Sequence, residues 1–166
     1  MVSIEDIPFK DRWKIASKSA SIIPLLYDSH FRKALGEKYD EIERPIWIEA
    51  GKEMKNLAMA LGLPSGNARQ IEDTIGILSS ISFGPEFRLE PAEETEHGAI
   101  GKVTGCAVLN SAKQMGLDPN IVARPACQTM MRSTVESLNP EYTIGPGTKS
   151  MCSGDQYCEI AIERRR

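Results

Sequence analysis

FGPEFRLEPAEETEHGAIGKVTG, residues 83–105, decides the fold. Upstream of Phe83 the apolar residues recur at helical spacing, whereas from Phe87 onward they alternate with polar ones at the period of a strand. Phe83-Gly84-Pro85 marks the change, and the acidic run around Glu93, Glu94 and Glu96 reads as a solvated turn between two strands.

Working outward, Trp13, Ile15, Ala16 and Ala20 precede Pro24, and Leu25, Leu26, Phe31 and Leu35 follow it up to Gly36. This pattern predicts two short helices or one kinked helix. Residues 45–64 carry Ile46, Ala50, Met54, Leu57, Ala58 and Leu61 on one stripe before Gly62-Leu63-Pro64 stops the helix. A third helix, capped by Ser65 or Asn67, places Ala68, Ile71, Ile75 and Leu78 together. Beyond the quoted stretch, helices are expected over Cys106 to Met115 and Pro125 to Leu138, and strands over Tyr142 to Ile144 and Tyr157 to Ile162. The order predicts an α+β fold: a helical N-terminal half, residues 1–82, packed on a small antiparallel sheet formed mainly by the C-terminal half, residues 83–166. One domain over 1–166 is expected, since no linker or repeat divides the chain.

The charge balance, 20 Lys and Arg against 23 Asp and Glu, gives a formal net of −3 and contains no extended basic run, so no nucleic-acid partner is expected. The longest cationic run is Arg164-Arg165-Arg166, which reads as a solubilising tail. No apolar run approaches a membrane span, and the opening MVSIEDIPFKDRW lacks the basic and apolar segments of a leader. A reducing, cytoplasmic location follows as the expectation, with the four cysteines as thiols or metal ligands.

Two thiols stand at helix starts. Cys106 follows Gly105 and opens a helix, and Cys127 lies just inside one that Pro125 begins. Free N–H groups and the helix dipole favour a thiolate there, although burial as small core residues is the commoner fate of free cysteine. In the closing CSGDQYC, an even-numbered hairpin loop would send Cys152 and Cys158 to opposite faces, Cys158 with Ile160 and Ile162 toward the core. That arrangement disfavours a local disulfide. The cysteine gaps of 21, 25 and 6 residues match no common zinc or iron–sulfur spacing, so a zinc ion would need ligands from distant segments: Cys106, Cys127, Cys158 and His97. His30, mid-helix, reads as structural. No nucleophile elbow, P-loop, zincin or dinucleotide-binding motif occurs.

GKVTGCAVLNSAKQMGLDP, then ARPACQTMM, then LNPEYTIGPGTKSMCSGDQYCEIAI resembles the C-terminal half of the L-2-amino-thiazoline-4-carboxylic acid hydrolase family, and more loosely the 4-vinyl reductase, hydrocarbon-binding domains. The resemblance covers residues 98–163 and picks out Cys106, Cys127, Gly154, Asp155 and Cys158, with Cys152 outside the pattern. It implies a small-molecule ligand or substrate and a cysteine-lined site. In the hydrolytic reading a cyclic C–N bond is opened with Cys106 and Cys127 in catalytic roles, Asp155 or His97 moving protons, and Tyr157, Gly154 and Cys158 lining the ligand pocket. A non-catalytic ligand or metal sensor or carrier is the alternative. A structural domain that forms a homodimer through the stripe on residues 46–61 is the third reading.

Overall fold

The computed structural model describes residues 3–95 and 98–165. A short 3-10 turn, Ile4–Asp6, leads into helix α1, Phe9–Leu35, which runs unbroken through Pro24. The expected single or paired helix is therefore one. Gly36, at φ 61°, turns the chain between α1 and α2, Lys38–Ala60.

Helix α2 begins earlier than Pro45, where the apolar stripe places its start, because a partly buried polar cluster engages its first two turns. Arg32 on α1 meets Asp28 at 2.7 Å, Asp40 at 2.6 Å and the buried Glu43 at 3.4 Å. Burial pushes the Glu43 carboxyl up, and Trp47 Nε1–H donates to its Oε1 at 2.8 Å. Of the expected stripe, Ala58 is buried while Ile46 and Leu61 at its ends are exposed. Helix α3, Ala68–Phe83, begins where Asn67 accepts from the Gln70 N–H, and it buries Ile71, Ile75 and Leu78 as expected.

The sheet has four strands, β1 (Arg88–Thr95), β2 (Gly98–Gly105), β3 (Tyr142–Ile144) and β4 (Cys158–Arg164), in the order β1-β2-β4-β3 with every pairing antiparallel. The α+β class is thus as the sequence indicates. Strand β1 loses register between Glu90 and Glu93, where Pro91 stands, an irregularity tolerated on an edge strand. On β2, Ala99, Gly101 and Val103 face inward opposite Ile162, Ile160 and Cys158 of β4. Between strands lie α4 (Ala107–Gln114), the short α5 (Pro119–Val122) and α6 (Arg124–Leu138). The sequence reading does not include α5. No helix among the described residues is long and apolar enough to cross a membrane.

Helix α3 packs on β1, β2 and β4, α6 packs on β3, and α2 lies across α6. At that crossing a Cβ on Gly51 would stand 2.5 Å from Ser133 Cβ and 2.6 Å from the Met130 carbonyl oxygen. Ser133 Oγ–H donates to the Ile48 carbonyl at 2.7 Å across the same contact. Alanine in a helix is ordinarily more stable than glycine by about 1 kcal/mol, so the sign here depends on whether the two helices can part. With backbone rather than a flexible tip on the far side, overpacking should dominate. Gly51→Ala is expected to lower unfolding free energy by about 1–3 kcal/mol in urea denaturation; a stabilised variant would contradict the close crossing.

Candidate functional site

A cavity of about 1070 Å³ lies between the sheet and helices α1, α2, α4 and α6. Its apolar walls come from elements distant in sequence: Trp47 on α2, Phe83 and Phe87 around the start of the sheet, Val103 on β2, and Met130 and Met131 on α6. All four cysteines also line it. Sulfur-bearing side chains and aromatic rings therefore contribute a soft, polarisable part of its interior that is adaptable in shape.

Each thiol reaches the cavity by a different route. Cys106 is the N-cap of α4, where its sulfur accepts from the Leu109 N–H at 3.4 Å. Cys127 sits one turn into α6, and the surface that it exposes is cavity wall. Cys158 begins β4 opposite Val103 and accepts from the Met151 N–H at 3.1 Å. Cys152 lies in a 3-10 turn, Met151–Ser153, which ends at Gly154 with φ 98°. No tight hairpin forms at CSGDQYC: β4 pairs with β2 and β3, and the 3-10 turn before it packs beside α5. The parity expectation fails for that reason, and Cys152 shares the cavity with Cys158. Cys158 itself packs against the core cluster containing Ile160 and Ile162, as expected.

The thiolate expected at the helix starts is not favoured. Burial pushes the Cys106 thiol up despite its two N–H donors, and pushes Cys127 well above the cysteine range. Burial likewise raises Cys152 to about 11, with Cys158 and Cys106 adding to the rise. A helix start contributes only a fraction of a charge, whereas removing water penalises the full thiolate charge. Among the described residues no three His, Cys, Asp or Glu side chains come together to hold a metal, so the expected zinc set is not formed by the thiols. His97 lies outside the described residues.

The remaining sequence-picked residues stand away from the cavity. Asp155 is exposed and accepts from the Ser150 N–H at 2.8 Å, which stabilises the turn. Gly154 supplies that turn's left-handed conformation. Tyr157 lies beneath Lys149 and Lys102, at 4.6 and 5.6 Å from its ring centre. None of the three lines the cavity. Sequence reasoning missed Trp47, Met130 and Met131, which carried a signal only as apolar positions on two helices. His30 is exposed and bonds locally to Leu26 and Ser29, in keeping with a structural role.

No family model matches the chain, and no curated protein matches it. The hydrolase resemblance therefore gains no support from either. Among solved structures the chain is similar to the crystal structure of the phenol-responsive sensory domain of the transcription activator PoxR with phenol. That likeness has a TM-score of 0.56 and 12% identity, and covers 89% of this chain and 74% of that one. At this identity the likeness is one of fold.

The thiols give a direct chemical check on the cavity. At pH 7.5 alkylation of Cys106, Cys127 and Cys152 in the folded protein should be at least about tenfold slower than in the urea-unfolded chain, and should accelerate as pH rises, because their raised pKa values depopulate the thiolate. Faster reaction of any of these three in the folded state would contradict the desolvated assignment.

Proposed function

We propose that the protein is a small-molecule-binding domain of the sensory type, which takes a mainly apolar ligand into the cavity between the sheet and the helices. The cavity carries this reading. Its volume of about 1070 Å³ lies at the upper end of small-molecule sites, and its walls are apolar, aromatic and sulfur-bearing. Thioethers and thiols make favourable contacts with aromatic rings, so a ligand with a ring system suits these walls. The fold shared with the PoxR sensory domain, whose structure contains phenol, supports the same assignment.

Hydrolysis is the second reading, favoured by Cys106, Cys127 and Cys158 reaching one cavity. Against it, Asp155 lies outside the cavity, and the hydrogen bonds that Cys106 and Cys158 accept come from backbone N–H groups rather than from a side-chain base. The two readings separate cleanly in one incubation. Ring-opened product from L-2-amino-thiazoline-4-carboxylic acid that vanishes in Cys106→Ser would favour catalysis, whereas ligand recovered intact favours binding.

For the binding reading, a thermal-unfolding screen of phenol, 2-naphthol and alkyl alcohols should find compounds that raise the melting temperature. At a concentration of about 100 times Kd the stabilisation is roughly 2.7 kcal/mol, or roughly 5–10 °C for a chain of this size. Cys127→Trp, which fills the cavity from α6, should abolish the shift. A panel with no stabilising member, or a shift that survives Cys127→Trp unchanged, would count against the site.

A further inference from the structure

We propose that the ligand is an anionic amphiphile: an apolar body in the cavity and a single carboxylate at its rim. This rests on the small-molecule-binding reading and adds the head group to it. Among the described residues that line the cavity are six cations, Arg44, Lys52, Arg124, Arg132, Lys149 and Arg165, and only two carboxylates, Glu136 and Glu159. Across the chain acids outnumber bases, 23 to 20, so the cationic surplus is a local feature and not a reflection of composition.

The two carboxylates are already engaged. Glu136 meets Arg165 at 2.6 Å and accepts from Thr143 Oγ1 at 2.6 Å, while Glu159 accepts from the N–H and hydroxyl of Thr148. Two of the six cations are also occupied, Arg165 by Glu136 and Lys52 by Glu49 at 2.7 Å. Lys149 lies over the Tyr157 ring. Arg44, Arg124 and Arg132 make no direct ion pair among the described residues; Arg124 donates to Ser153 Oγ at 3.1 Å, while Arg132 donates weakly to the Ile144 carbonyl at 3.5 Å and contributes, after Arg165 and Thr143, to holding the Glu136 carboxyl low. Three guanidinium groups without a directly paired carboxylate thus line one cavity. A ligand oxyanion would give them a partner, and the guanidinium fork suits a planar carboxylate. A neutral ligand of the same body would use the walls alone.

The test compares dodecanoate with 1-dodecanol, which share a twelve-carbon body, below their aggregation limits and at low salt, followed by tryptophan fluorescence because Trp47 lines the cavity. Dodecanoate should bind at least about tenfold more tightly, as a charge-assisted contact in a partly enclosed mouth provides. Its advantage should fall to within about threefold in the Arg44→Gln/Arg132→Gln variant and at about 0.5 M salt. Unchanged dodecanol affinity in the variant would show that the cavity is intact. Dodecanol binding as tightly as dodecanoate, with the variant indifferent to both, would overturn the anionic head while leaving the cavity as a ligand site. Binding of neither, together with a failed neutral panel, would overturn the binding reading along with it.

Discussion

At Gly51 the backbone of α2 rests against α6, where an added Cβ would meet Ser133 Cβ and the Met130 carbonyl oxygen. That contact sets how closely α2 approaches α6. Toward the N-terminus of the crossing, Trp47 and Ile48 reach the cavity from α2; on the other helix, Cys127, Met130 and Met131 reach it from α6. A larger residue at position 51 would separate the helices, and the walls that define the cavity would separate with them. Glu43 secures the same wall from the other direction, since it accepts from the Trp47 indole and from Arg32 of α1. The cavity is therefore a consequence of helix packing rather than of any one loop.

The chemistry of the cavity follows from the desolvation of its thiols. A helix start favours a thiolate by a fraction of a charge, but desolvation acts on the whole charge and prevails at Cys106 and Cys127. Protonated thiols beside methionine and aromatic rings make a soft apolar lining. They suit contact with a ligand body better than attack on it, while the charges that could orient a ligand stand among the cavity's arginines.

Much of the fold was legible in local pattern. Helical periodicity located α3, Asn67 supplied its cap, and alternation across residues 87–105 located the β1–β2 pair. What failed was what depends on distant partners. Helix α2 starts at Lys38 because Arg32 and Glu43 satisfy each other and the indole, a tertiary arrangement that periodicity cannot register. The CSGDQYC segment has the local pattern of a hairpin, but Cys152 lies in a 3-10 turn and the strand partner of Cys158 is Val103, far upstream. The site was half visible for the same reason. Cys106, Cys127 and Cys158 stood out as reactive residue types, whereas Trp47, Met130 and the arginines acquire meaning only once α2 is laid across α6.

The central claim, that the space between the sheet and α6 receives a small molecule, is tested most directly by methyl resonances of the methionines. Met130, Met131 and Met151 line the cavity, while Met59 is 65% exposed on α2. Titration of methyl-13C-methionine protein with dodecanoate, or with any compound that raises the melting temperature, should shift the resonances of Met130, Met131 and Met151 saturably and leave Met59 in place. Saturable binding that leaves those three unmoved, or that moves Met59 alone, would contradict it.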